Sequence, residues 1–141
     1  MKTLKSLTLA LALMITCGFV KANDVPAAYL TKTRAINTYL DAVTRGKLDN
    51  FNEVVDKSAK FSILRGKEIL SCDKKEMAEY LKGQKNIEQA CTTSTDVVES
   101  NADMTVVKVD MKFEHFTRSN YVTIANTANG WKITNVYSVF K

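Results

Sequence analysis

The stretch TVVKVDMKFE, residues 105–114, decides the fold class because its side chains alternate strictly between apolar and polar from Val107 to Glu114. A two-residue period is that of a β-strand, whose successive side chains point to opposite faces of a sheet. The apolar side of this strand comprises Val107, Val109, Met111 and Phe113. The polar side comprises Lys108, Asp110, Lys112 and Glu114. A strand within residues 104–117 is therefore expected to bury one face on a core and to expose the other to water.

Further strands are predicted on both sides of this segment. Gln89–Glu99 is rich in Thr and Val, and Ser100–Asp103 has the composition of a turn. Tyr121–Thr127 and Trp131–Phe140 are predicted to form a hairpin across Asn129-Gly130, a dipeptide that suits a type I′ turn. The C-terminal half is thus expected to be a meander of four long strands.

The N-terminal half has helical periodicity. The apolar residues of the first predicted helix recur at i, i+3, i+4 and i+7, and they are Ile36, Tyr39, Leu40 and Val43. Gly46 is expected to end this helix, and a second apolar set between residues 48 and 55 predicts a short helix. Asp73 and Glu76 have the spacing of a capping box, which predicts a third helix that ends before Gly83. Between the last two helices, residues 59–64 and 68–72 are predicted to be strands.

Residues 1–22 have the organisation of a secretory signal peptide. Two lysines precede an apolar run over residues 7–20, and Ala22 supplies the small residue that a cleavage site requires. The run is shorter than the roughly 20 apolar residues of a membrane-spanning helix. We therefore expect residues 23–141 to form one domain that is secreted or periplasmic. A retained N-terminal anchor and lipid attachment through Cys17 are the alternatives.

The net charge argues against nucleic acid as a partner once export is considered. The full chain of 141 residues carries a formal charge of +5, and removal of residues 1–22 would discard three lysines and no acidic residue. The bases that remain are scattered along the chain rather than clustered. Binding to several phosphates requires a stripe of basic residues, which this sequence does not contain.

Two cysteines, Cys72 and Cys91, belong to the predicted exported domain. An oxidising compartment would allow them to form a disulfide, and two separate buried thiols are the equal alternative. With only one histidine in the chain, these cysteines do not have the ligand spacing of a metal site. The sequence also contains no glycine-rich nucleotide-binding motif, so it predicts neither a metal nor a cofactor.

The order of predicted elements, together with three short motifs, resembles the nuclear transport factor 2-like (NTF2-like) superfamily. The closer resemblance is to its secreted bacterial branch, labelled SnoaL-like or lumazine-binding. The motifs are AINTYLDA at 35–42, GKLD at 46–49 and NGWKI at 129–133. The resemblance implies an α+β cone, in which a curved antiparallel sheet wraps around a long N-terminal helix and two shorter helices. It also implies a pocket at one end of the cone and a homodimer formed through the sheet.

The candidate ligand site combines aromatic area with a few polar groups. Alternation would place Trp131, Asn135 and Tyr137 on one face of the last strand, and His115 on the apolar side of the strand that contains Phe113. The candidate ligand-binding residues are Tyr39, Phe61, Phe113, His115, Trp131, Asn135 and Tyr137. We expect the pocket to bind a small apolar or aromatic molecule without turning it over.

Two other functions stay open at this point. An isomerase or dehydratase of the SnoaL-like type would use His115 or Asp110 as a base and Tyr137 as a proton donor. Catalytic relatives often carry histidines where this chain has Asn135 and Tyr137, and Asp110 is predicted on the outer face, so the residues argue against catalysis. The second alternative is a dimeric interaction protein that binds no ligand.

Overall fold

The computed structural model describes residues 31–141, so the predicted signal peptide and its cleavage site lie outside the described residues. The helices are α1 (Lys32–Arg45), α2 (Phe51–Val54) and α3 (Lys74–Lys82). The strands are β1 (Val55–Arg65), β2 (Glu68–Asp73), β3 (Thr92–Ser100), β4 (Met104–Lys112), β5 (Thr117–Thr127) and β6 (Gly130–Phe140). The predicted α+β class and order of elements are confirmed. Within 31–141, no helix is long and apolar enough to cross a membrane.

The six strands form one sheet in the order β2-β1-β6-β5-β4-β3. Neighbouring strands are antiparallel except β1 and β6, which run parallel. The resemblance implied an antiparallel sheet, whereas the parallel pairing of β1 with β6 makes this sheet mixed. Parallel neighbours need a long connection, and here the chain passes through β2, α3 and three further strands between β1 and β6.

One face of the sheet packs against the helices. The buried face of α1 consists of Ala35, Ile36, Tyr39 and Ala42. The buried sheet residues below it include Val109, Val122, Ile124, Ile133 and Val136. In β4 the odd-numbered residues from 105 to 111 are buried and the even-numbered ones are partly or fully exposed, as the alternation predicted.

Gly46 ends α1 and holds the loop that follows α3 in place. Its φ of 63° is in the left-handed region, and its backbone N–H donates to the carbonyl of Asp41. The Gly46 carbonyl in turn accepts a hydrogen bond from the N–H of Asn86 at 3.1 Å. A Cβ atom at position 46 would lie only 2.1 Å from the carbonyl oxygen of Gln84, so the two segments meet backbone to backbone.

The capping box predicted at the start of α3 is confirmed. The Asp73 carboxylate accepts from the N–H of Glu76 at 2.9 Å, and the Glu76 carboxylate accepts from the N–H of Asp73 at 3.0 Å. We expect Asp73→Ala to lower the free energy of unfolding by about 1 kcal/mol, because the helix would lose an N-cap acceptor. Urea denaturation measures this loss. Asp73→Asn is the control, because its side-chain oxygen keeps the cap, and equal stability of the two variants would contradict the assignment.

The turn between β5 and β6 differs from the predicted one. Thr127 pairs with Gly130, so the connecting residues are Ala128 and Asn129 rather than Asn129 and Gly130. Gly130 has a φ of 93°, but Asn129 is not among the residues with positive φ, so the turn is not type I′. The Thr127 hydroxyl explains the difference. It accepts from the Asn129 N–H at 3.2 Å and donates to the Gly130 carbonyl at 2.7 Å, which fixes the turn one residue earlier.

A bulge in β6 also changes which residues share a face. Thr123 pairs with Asn135, but the next residue of β5, Ile124, pairs with Ile133. Thr134 is therefore an extra residue, and the alternation reverses across it. Ile133 faces the helices, whereas Asn135 and Tyr137 lie on the outer face with Thr123. The predicted single face that joins Trp131 to Asn135 and Tyr137 is therefore wrong.

Candidate functional site

A pocket of about 100 Å³ lies between α1, α3 and the C-terminal end of β4. Its apolar walls include Met77 and Leu81 of α3, together with Met111 and Phe113 at the end of β4. An apolar cavity of about 150 Å³ is large enough for benzene. The pocket is smaller than that, so it encloses at most about one ring or a short branched chain, and it is smaller than the sites of drug-sized ligands.

Tyr39 is one of several polar side chains that line the pocket, and it is the one that α1 supplies. The α1 helix buries it so that only 2% of the residue is exposed. Burial raises the pKa of the Tyr39 phenol to about 12, and the positive charge of Arg118 opposes this shift only partly. The hydroxyl thus stays protonated at neutral pH and is available as a hydrogen-bond donor.

Arg118 is the only Lys or Arg among the described residues that line the pocket, and a chain of hydrogen bonds orients it. Its Nη2 donates to the Ser138 hydroxyl at 3.3 Å, which donates to Asn120 Oδ1 at 2.6 Å. The Asn120 amide donates onward to the carbonyl of Val109 at 3.2 Å. Ser138 and Asn120 are fully buried, so this network is a fixed part of the sheet beside the pocket.

The structure brings two of the seven predicted ligand-binding residues, Tyr39 and Phe113, into this pocket. Phe61 packs in the core, with its ring centroid 6.4 Å from that of Phe51. The Trp131 ring lies 4.3 Å from the Lys32 ammonium, outside the pocket lining.

The remaining three predicted residues lie away from the pocket lining. Asn135 and Tyr137 are on the outer face of the sheet because of the β6 bulge. His115 lies in the connection between β4 and β5, and its side chain is 84% exposed. Strand alternation does not reach His115 because β4 ends at Lys112.

The residues proposed for catalysis do not meet in the pocket. The Asp110 carboxylate lies on the outer face, where it accepts from the Ser119 hydroxyl at 2.6 Å and pairs with Lys108 at 2.9 Å. The Ser119 hydrogen bond lowers the pKa of Asp110, and Lys108 adds to this effect. His115 lies 3.8 Å from the carboxylate of Glu114 in the loop. Tyr137 pairs with Tyr121 on the outer face, so none of the three candidates lines the pocket.

Cys72 and Cys91 are both free thiols in the structure. Cys72 is in β2 at one edge of the sheet, and Cys91 immediately precedes β3 at the other edge. Partial burial raises the pKa of both thiols. Of the two alternatives that the sequence left open, the structure has the separate thiols.

Sequence reasoning missed Arg118 and the apolar wall from α3. Met77 and Leu81 were predicted as the apolar face of a helix, but their position beside the pocket depends on where α3 packs. Arg118 lies on the strand face that also carries Asn120 and Val122, two buried residues. A basic residue in register with a buried strand face is the signal that could have identified it.

Comparison with known proteins places this fold in a family. The family model described as "Putative lumazine-binding" matches residues 31–138, which is more than half of the chain. No curated protein matches the sequence.

Solved structures share the fold at low sequence identity. An NTF2-like protein of unknown function from Silicibacter pomeroyi aligns with a TM-score of 0.62 and 16% identity, covering 77% of this chain and 90% of its own. An NTF2-like protein from Cytophaga hutchinsonii aligns with a TM-score of 0.58 and 19% identity, and the alignment covers 76% of this chain and 93% of that protein. An NTF2-like protein of unknown function from Methylobacillus flagellatus aligns with a TM-score of 0.57 and 13% identity, and the alignment covers 87% of this chain and 96% of that protein. The chain therefore has the NTF2-like fold, and it belongs to the family described as "Putative lumazine-binding".

Proposed function

We propose that this protein binds a small molecule with an apolar, ring-sized body in the pocket between α1 and α3, without catalysis. The observation that carries the proposal is the pocket lining, which combines apolar side chains with the polar groups of Tyr39, Tyr80, Gln84, Gln89 and Arg118. Ligand sites commonly combine apolar walls with a few placed polar groups that orient the ligand. The family description supports binding as the activity.

The pocket dimensions limit the ligand. A volume of about 100 Å³ leaves room for at most about one ring beside the thioethers of Met77 and Met111 and the ring of Phe113. Thioether and aromatic groups contact flat rings favourably. Lumazine, which the family description names, has two fused rings. Such a ligand would need the second ring to extend through the open side of the pocket.

Native mass spectrometry of protein purified from its own host tests this function. We expect an additional mass that is lost on denaturation, and stabilisation against heat by at least one compound from a series of single-ring molecules. Gln84 lines the pocket, whereas its exposed neighbour Lys85 does not. Gln84→Trp is therefore expected to remove both effects by filling the pocket mouth, and Lys85→Trp is expected to keep them. Absence of any adduct and of any stabilisation in the wild type would contradict the proposal.

We further propose that the protein acts after export, as a secreted or periplasmic domain. The proposal is supported by the signal-peptide pattern of residues 1–22. The mass of the protein recovered from its host distinguishes the alternatives. Loss of the first 22 residues supports cleavage after Ala22, and a lipid-modified N-terminal cysteine at position 17 would contradict it.

A further inference from the structure

We infer that the ligand carries a carboxylate and that the guanidinium of Arg118 binds it. This inference rests on the proposed function, because it names the chemical class of molecule that the same pocket takes.

The partly buried guanidinium of Arg118 has no ion-pair partner among residues 31–141. Its Nε is inaccessible to solvent and has no hydrogen-bond partner among residues 31–141. No carboxylate within that range lies within 4.0 Å of Arg118, although four other Lys or Arg residues form such ion pairs with Asp or Glu. A buried N–H without an acceptor costs free energy, and a buried charge is normally paired. A ligand carboxylate in the pocket would supply the missing counter-charge, because Arg118 lines the pocket.

The guanidinium is nevertheless held in a fixed orientation. Nη2 donates to the Ser138 hydroxyl, and that hydroxyl is committed as a donor to Asn120. The guanidinium carbon also lies 6.0 Å from the centroid of the Phe140 ring, so an aromatic side chain packs beside it. An oriented guanidinium presents its N–H groups in a fork that matches the two oxygens of a carboxylate.

The rest of the pocket favours a small organic anion with one charge. Arg118 is the only Lys or Arg among the described residues that line the pocket, and no Asp or Glu is found there. One guanidinium balances one carboxylate, whereas a phosphate near neutral pH carries up to about two charges. The neutral phenol of Tyr39 offers a second donor to the same anion. The walls formed by Met77, Leu81 and Phe113 then receive the apolar body.

Calorimetric titration with matched acids and amides tests the inference. Benzoate and benzamide have the same ring and nearly the same shape but differ in charge, and isovalerate and isovaleramide form a second pair with a branched chain. We expect at least one acid to bind the full exported protein about ten- to a hundredfold more tightly than its amide, as for a hydrogen bond to a charged group. Equal affinity for acid and amide would overturn the carboxylate while leaving the proposed function intact.

Arg118→Met separates ligand binding from a structural role. This variant removes the charge and keeps an apolar stem, so we expect it to lose the preference for the acid and to unfold at the same or a higher temperature without ligand. Arg118→Lys should weaken the preference partly, because it keeps the charge but lacks the fork. Arg65→Met is the control, since Arg65 is exposed and lies outside the pocket lining. A destabilised Arg118→Met that still prefers the acid would overturn the inference.

If none of the four probes binds, the adduct seen in native mass spectrometry shows whether the ligand carries a carboxylate. An adduct that contains a carboxylate and is missing from Arg118→Met supports the inference. A neutral adduct overturns it and leaves the proposed function in place. Absence of an adduct, together with no stabilisation by any single-ring compound, means that the proposed function itself has failed.

Discussion

Gly46→Ala is expected to lower the free energy of unfolding by about 2–4 kcal/mol, because the new methyl group meets backbone rather than a side chain that could move. The Cβ would lie 2.1 Å from the Gln84 carbonyl oxygen and 2.6 Å from the Asn86 nitrogen. The positive φ of Gly46 adds the ordinary cost of a left-handed residue. Since Gly46 and Gln84 both line the pocket, the displaced loop should also weaken ligand binding.

Gly66→Ala is the matched control for this prediction. Gly66 has almost the same φ, 64°, but a Cβ there would have open space around it. The control variant therefore carries only the backbone cost, about 1 kcal/mol. Urea denaturation of both variants measures the difference. Similar losses at the two positions would show that the close approach at Gly46 does not determine the stability of this region.

The fold could be predicted from the sequence because its determinants are local. The alternation around Val109 predicts a strand with one buried face, and the spacing of Ile36 and Tyr39 predicts the helix that covers it. Gly46 and the Asp73 capping box mark where helices end and begin. Each of these signals acts within a few residues, so it is the same in the isolated sequence and in the folded protein.

The candidate site could be predicted only in part, because it depends on register and packing. A single extra residue, Thr134, turns Asn135 and Tyr137 to the outer face, and no local pattern indicates that insertion. Arg118 faces the pocket because β5 pairs with β6 in one particular register. Of the predicted ligand-binding residues, Tyr39 and Phe113 line the pocket because each belongs to an apolar face that turns inward.

Raising the pH from about 10 to 12 is expected to remove up to about 3 kcal/mol of stability through Tyr39 alone. The ordinary pKa of the phenol is 10.0, and burial raises it to about 12 in the folded protein. Between these values the folded state retains a proton that the unfolded state releases. The contribution of Tyr39 to the free energy of unfolding is thus complete below pH 10 and is lost as the pH rises through 12. Denaturation with urea across this range measures the effect.

Variants at two tyrosines isolate this contribution from the other groups that ionise at high pH. Phe at position 39 cannot ionise, so the free energy of unfolding of Tyr39→Phe should fall less than that of the wild type between pH 10 and 12. The difference between the two losses should be up to about 3 kcal/mol. The raised pKa of Cys72 and Cys91 affects both proteins equally and cancels in the comparison. Tyr80→Phe, at a position that is 61% exposed, should follow the wild type. If Tyr39→Phe also follows the wild type, the phenol ionises without unfolding the protein, and the pocket must admit water to that hydroxyl.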